Sequence, residues 1–288
     1  MPSAKDHIEA HRKAGRFFSA EGIKSFVREA GKGEAVVCMH GVPSSAYLYR
    51  KMLPALAERS FRAIAFDLPG MGLADKPTQY DYSWTGLGRW SVKATEALGL
   101  AKYHLVIHDI GGPIGMEMVA AHPERILSLT ILNTLIAGLA HFQKPWTMRP
   151  FEWQGIGEWY LASMQPAIFA PLMYLQGVED KASLPQSEGA AYVRLLKHGD
   201  GGKAFLKIMR SFEATQAKED LYLNAIKGLE VPKQIIWGAK DPALTVKAYG
   251  LPTQKLTGIE RYIELPAKHF LQEDQAPKIA ELIKEMNA

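Results

Sequence analysis

Short apolar runs and longer mixed stretches alternate along most of this chain. The runs EAVVCM at 34 to 39, RAIAF at 62 to 66, HLVIH at 104 to 108, ILSLTIL at 126 to 132 and QIIW at 234 to 237 are rich in Val, Ile and Ala. Each has the length of a buried strand, and the stretches between them are long enough for crossover helices. Residues 47 to 58, 84 to 99, 113 to 122 and 274 to 286 read as such helices. This alternation predicts a mostly parallel sheet with helices on both faces. Between about 135 and 215 the strand rhythm stops and aromatics, Met and Pro accumulate, as in HFQKPWTMRPFEWQGIGEWYLASMQPAIF. That change predicts a mostly helical cap at 135–215, inserted into a core made of 1–134 and 216–288.

Composition narrows the function. With 288 residues and 47% hydrophobic content the chain can bury the core of one enlarged domain. Lys and Arg number 34 against 30 for Asp and Glu, and the basic residues are scattered rather than gathered into a stripe. A nucleic-acid partner is therefore not expected. Cys38 is the single cysteine, which excludes an intrachain disulfide and a cysteine-built metal site. The start, MPSAKDHIEAHRKAGRF, is too polar for a secretory signal, and no apolar stretch is long enough to span a membrane. A cytoplasmic, membrane-independent protein that acts on a small neutral molecule is expected, as a monomer or a homodimer.

Chemistry gathers at the ends of the apolar runs. After HLVIH come Asp109, Ile110, Gly111 and Gly112, and then a helix near Pro113. A strand, a tight turn with small residues and a helix is the layout that pushes one nucleophilic side chain out at the carboxyl edge of a sheet. Taken alone, Asp109 reads equally well as a helix N-cap. In WGAKDP a strand ends and Asp241 opens the next loop; LPAKHFLQED places His269 in a loop before the last helix. The chain order nucleophile, acid, histidine is that of an α/β-hydrolase triad. Near the front, EAVVCM runs into His40, Gly41, Val42 and Pro43, a sharp turn that can aim the Val42 N–H at the site beside the N–H of Ile110. Two such donors form an oxyanion hole. DLPGMG contains one Gly-x-Gly but lacks the rest of a dinucleotide-binding loop.

These motifs, with HGVPSSAYLYRKMLPAL and FDLPGMGLADKP, make the chain resemble the epoxide hydrolase and haloalkane dehalogenase branch of the α/β-hydrolase superfamily. The resemblance implies the α/β-hydrolase fold with an inserted helical cap, an Asp nucleophile and no metal or organic cofactor. Dehalogenases of that branch usually place Trp directly after the nucleophile and often Asn before the Pro of the His-Gly-x-Pro turn, both to cradle the departing halide. Here those positions are Ile110 and Val42, and a cap residue such as Trp146, Trp153 or Trp159 would have to substitute. Epoxide hydrolases instead use a cap tyrosine as acid. GEWYLASMQ resembles the segment that carries it and puts Tyr160 there, whereas the place of the usual second tyrosine falls at Phe205 or Leu206. The turn that ends in Ala74 also departs from the branch's pattern.

The expected activity is therefore hydrolysis of an apolar epoxide to a vicinal diol through an ester on Asp109, with His269 and Asp241 activating water and Tyr160 as acid. His40, Pro43, Trp159, Tyr192 and Phe205 are expected to contact the substrate. The alternative is a haloalkane dehalogenase with the same triad, and a third reading is a ligand-sensing protein of this fold without catalysis. A serine esterase is opposed by Asp109 itself.

Overall fold

The computed structural model describes residues 2–165 and 171–288; residues 166–170 of the expected cap lie outside these. Each of the five apolar runs forms a strand. They are β3 (Glu34–Met39), β4 (Phe61–Phe66), β5 (Tyr103–Asp109), β6 (Ile126–Thr134) and β7 (Lys233–Gly238). Three further strands, β1 (Gly15–Ala20), β2 (Ile23–Ala30) and β8 (Tyr262–Leu265), complete an eight-stranded sheet in the order β1-β2-β4-β3-β5-β6-β7-β8. All neighbours from β4 to β8 pair in parallel; β2 runs antiparallel to both β1 and β4. The central strands read as unbroken apolar runs because helices cover both faces and leave residues such as Val37, Leu105 and Ile107 without solvent contact.

Helices given by the described residues include α1 (Ala4–Lys13), α2 (Met52–Ala57), α3 (Trp84–Ala97), α4 (Gly111–Ala121), α5 (Ile156–Ser163), α6 (Gln186–Leu196), α7 (Lys203–Arg210), α8 (Gln216–Gly228), α9 (Leu251–Thr257), the single turn α10 (Leu271–Asp274) and α11 (Ala276–Met286). The helix expected over 47 to 58 is two pieces, a 3₁₀ turn at Ala46–Arg50 and then α2. Pro54 explains the second start, since a residue without an N–H fits only the first turn of a helix. Pro277 begins α11 in the same way, which divides the segment expected from 274. α1 is closed at its start by a reciprocal cap between Ser3 and Asp6.

Between β6 and α8 no strand occurs among the described residues; the chain runs through 3₁₀ turns, α5, a π-turn at Met173–Gly177, α6 and α7. No helix among the described residues is long and apolar enough to cross a membrane.

Candidate active site

The tight turn after β5 holds Asp109 at φ +52°. This left-handed conformation strains most residues and is best tolerated by Gly, Asn and Asp. Small neighbours make it fit. A Cβ on Gly41 would overlap the Asp109 carboxylate, one on Gly112 would overlap the Thr134 hydroxyl, and one on Gly111 would sit 2.6 Å from the carbonyls of Met39 and His40. Thr134, at the end of the neighbouring strand, donates its hydroxyl to the Asp109 carbonyl. The carboxylate does not cap α4. Its Oδ1 reaches across to β3's outgoing turn and accepts the Val42 N–H at 2.7 Å, and the backbone of Ile110 hydrogen-bonds the same group. Val42 and Ile110 therefore direct two N–H groups at one carboxylate.

His269 stands opposite, its Nε2 3.3 Å from Asp109 Oδ2. Its Nδ1 donates to Asp241 Oδ2 at 2.7 Å. Asp241 follows β7 and is almost completely buried, yet its carboxylate lacks no partner. Oδ1 accepts the N–H groups of Ala243 at 2.8 Å and Leu244 at 2.9 Å, and Oδ2 also accepts the Asn133 side-chain amide at 2.7 Å. Asn133 in turn takes the Gly238 N–H at 2.7 Å, which ties β6 to β7 where Asp241 departs.

The His269 loop is fixed from two sides. His108, buried just before Asp109, donates Nε2–H to the His269 carbonyl at 2.8 Å. The amides of His269 and Phe270 donate to the carbonyls of Gln176 at 3.4 Å and Gly177 at 2.7 Å, both in the π-turn.

Electrostatics follow from this geometry. Burial disfavours a charged His269, but Asp241 and Asp109 outweigh it and raise its pKa to about 10. Burial opposes the charged forms of both carboxylates as well, yet His269 and the hydrogen-bond donors hold each below the ordinary carboxylate range. The resting site is an imidazolium between two carboxylates. His108 has no compensating anion in contact; burial first, and the nearby His269 second, lower it to about 3 and keep it neutral.

Above Asp109 lies a cavity of about 850 Å³, its open mouth included, between the carboxyl ends of the strands and the helical segment. Apolar side chains such as Leu135, Phe142, Met173 and Phe212 make most of its wall. Val42, Pro43, Asp109, Ile110, His269 and Tyr160 all line it. Tyr160 packs its ring 5.0 Å from Phe151, and its hydroxyl makes no hydrogen bond among the described residues.

Other expected contacts fall elsewhere. Trp159 is 72% exposed: one helical step from Tyr160 turns a side chain by about 100°, which carries it to the outer face of α5. Trp146 and Trp153 also face outward, so no indole among the described residues lines the cavity. His40 is fully buried behind the turn, where Nε2 accepts the Leu68 N–H at 3.0 Å and Nδ1–H donates to Gly41 at 3.0 Å; both nitrogens are spent on backbone. Tyr192 donates its hydroxyl to Glu273 and receives Arg50 at 3.4 Å, in a buried ionic cluster away from the cavity. Phe205 is core, edge-on to Phe151 at 4.9 Å, while Met209 one turn later on α7 reaches the cavity wall. Asn133, His108, Thr134, Thr147 and Gln176 belong to the site and were not among the expected residues. Asn133 alone left a sequence signal, a lone amide inside the apolar run ILNTLI.

A strand-borne carboxylate in a strained turn, a histidine bound to a second carboxylate and two backbone donors at the strand ends coincide with a match to the alpha/beta hydrolase fold family over residues 34–276. The chain belongs to the α/β-hydrolase family. The chain is 29% identical over 260 residues to a haloalkane dehalogenase of Mycobacterium marinum, covering 87% of this chain and 84% of the relative. Among solved structures it is similar to the haloalkane dehalogenase DbeA of Bradyrhizobium elkani, with a TM-score of 0.77, 22% identity and coverage of 95% and 98% of the two chains. It is equally similar to the epoxide hydrolase VrEH1 of Vigna radiata, with a TM-score of 0.76, 23% identity and coverage of 95% and 97%. The dehalogenase is similar in sequence and the epoxide hydrolase in fold, in line with the branch the motifs of this hydrolase resemble.

Proposed function

We propose that this hydrolase opens an apolar epoxide to a vicinal diol, with the helical segment 135–215 as the cap that closes the site. The observation that carries the reading is Tyr160, which lines the same apolar cavity as Asp109 with a hydroxyl that bonds to no described residue, while no tryptophan among the described residues lines it. An opening epoxide needs a proton at oxygen, and a tyrosine hydroxyl supplies one. A departing halide needs only soft donors, and the indoles that could serve it face solvent.

Asp109 Oδ1 is held by Val42, which leaves Oδ2 to attack the ring carbon. The C–O bond breaks, its electron pair goes to the ring oxygen, and Tyr160 delivers the proton. Oδ1 becomes the ester carbonyl and already sits on the Val42 and Ile110 donors, so a tetrahedral intermediate forms with its oxyanion in place. Alkylation cancels the charge of Asp109 and so withdraws one of the two anions that keep His269 protonated; the imidazolium then returns its proton to the Tyr160 phenolate and becomes neutral. The imidazole, still oriented by Asp241, then takes a proton from water as that water attacks Cγ. The Cγ–Oδ2 bond then breaks, the hydroxyl newly added to Cγ passes its proton to Oδ2 as the diol departs, and Asp109 is again a carboxylate facing the imidazolium of His269.

The named dehalogenases among the relatives support a second reading, the same two steps with halide as leaving group. Purified enzyme assayed side by side on styrene oxide and butyl bromide separates the two: diol formation supports the proposal, and bromide without diol overturns it. A single turnover in ¹⁸O water with excess enzyme tests the covalent route. Label should enter the Asp109 peptide and not the first diol; label in that diol would mean direct attack by water.

A further inference from the structure

Among the described residues that line the cavity, four besides Asp109 and His269 have polar side chains: Lys144, Thr147, Tyr160 and Gln176. Lys144 is engaged, with its ammonium 2.7 Å from Glu152 and 4.3 Å above the ring of Phe212. Thr147, 5% exposed, donates its hydroxyl to Gln176 Oε1 at 3.0 Å. That bond fixes the Gln176 amide by its oxygen and leaves the Nε2 hydrogens, which bond to no described residue, as the donating end of a side chain on the cavity wall. The backbone of the same residue accepts the His269 N–H, which ties it to the loop that faces Asp109. A primary amide that is oriented, unspent and beside the reacting pair is a donor for negative charge developing in the cavity.

We propose that Gln176 is a second hydrogen-bond donor to the leaving atom, acting with Tyr160 when Asp109 is alkylated. This rests on the reading given under Proposed function. In that step Asp109 Oδ2 bonds to carbon, the electron pair of the breaking C–O bond moves to oxygen, and the proton comes from Tyr160. Gln176 transfers nothing and only lowers the energy of the oxygen as its charge grows. The substrate class that gains most has a leaving atom with room for two donors and a strong appetite for them, an epoxide oxygen rather than a bromide. The Thr147 and Gln176 pair thus sets leaving-group preference.

The test measures the two half-reactions separately. In a His269→Gln background, where the ester should persist, quenched-flow mass spectrometry follows adduct formation on the Asp109 peptide with styrene oxide and with butyl bromide. Gln176→Leu should slow alkylation by the epoxide by about 10- to 100-fold, short of the roughly 10²- to 10³-fold cost of a lost oxyanion-hole donor because Tyr160 remains, and alkylation by the bromide by much less. With His269 intact, ester hydrolysis should not change in Gln176→Leu, because the backbone carbonyl that holds His269 is kept. Thr147→Val, which releases the amide without removing it, should give the same ordering with a smaller effect. Equal slowing of both substrates in both variants would reduce Gln176 to a packing residue. Slowing of ester hydrolysis alone would assign the amide to the attacking water, and unchanged alkylation would remove it from the chemistry; each result overturns the proposal. Absence of adduct with both probes in the parent background would instead defeat the covalent reading, and the donor role with it.

Discussion

Replacing Asp109 by Asn mimics, in a stable protein, the loss of charge that ester formation would bring, and it should convert His269 from a resident cation into a base. The magnitude can be worked from the geometry. At 3.3 Å, two unit charges attract by about 5 kcal/mol if the effective dielectric constant is near 20. Burial and the persisting Asp241 absorb part of this, so the usual depression of about 1 to 3 pKa units for loss of an adjacent opposite charge applies. At roughly 1.4 kcal/mol per unit, that corresponds to about 1.4 to 4 kcal/mol of differential stabilisation. The His269 pKa should fall from about 10 to somewhere near 7 to 9. The sign is fixed because a neighbouring anion favours imidazolium, and removing that anion moves deprotonation to lower pH. The imidazole nitrogens of His269 can be titrated by long-range ¹H–¹⁵N NMR in wild type and Asp109→Asn, with intact mass confirming that the amide survives. In catalysis the same effect makes ester hydrolysis rise with pH through the lowered value. Alkylation, which needs only a carboxylate already held below its ordinary pKa, stays flat near neutrality. A His269 midpoint identical in the two proteins would refute the idea that Asp109 controls the base.

Tyr160→Phe should slow alkylation by about 10² to 10⁴-fold, the range for a lost general acid, with ester hydrolysis unaffected; equal rates of adduct formation would dismiss it as the acid. Asn133→Leu strands the Gly238 N–H and takes one donor from Asp241, and should cost about 2 to 5 kcal/mol in urea unfolding, since a buried unpaired group and a charged hydrogen bond are lost together. Glu273→Gln weakens the charge balance around buried Arg50, whose guanidinium also meets Glu188 on α6. A loss of roughly 3 kcal/mol or more is expected, as for other broken buried pairs, and a shift in melting temperature within error would count against the cluster as a structural tie. Gly112→Ala should abolish folding or activity outright, because its Cβ would overlap the Thr134 hydroxyl, and a well-folded, fully active variant would contradict the packing of the turn.

The parts legible in the sequence were those in which local pattern and tertiary role coincide. Five strands announced themselves because burial on both faces demands unbroken apolar runs. The missed strands lie toward the edges and obey no such demand. β1 and β2 form a hairpin about Glu21 and Gly22, both at positive φ, whose half-exposed strands mix Phe with Lys, Arg and Ser. β8 has only four residues, two of them half-buried and one exposed. Asp109, Asp241 and His269 were readable because each follows or borders a recognisable strand end, and the fold brings them together. Direction within the helical segment was not readable. Trp159 and Tyr160 are adjacent in sequence, and only the packing of Phe151 against α5 decides which faces inward. Nor could sequence show that His40 spends both nitrogens on backbone, or that Gln176 would meet Thr147 from 29 residues away.

His269 and Phe270 hang by their amides from Gln176 and Gly177, and this makes one corner of the helical segment a hinge post. Lifting that corner would drag the imidazole from Asp241. Lys144 and Phe212 also stand at the cavity wall and make no hydrogen bond to the His269 loop among the described residues. There the largely buried Lys144 is held by its ion pair with the more exposed Glu152 and by the ring of Phe212. Changes at that stretch of wall would alter the cavity while the reacting groups stay in register, so cavity shape and chemistry are governed by different parts of the same segment.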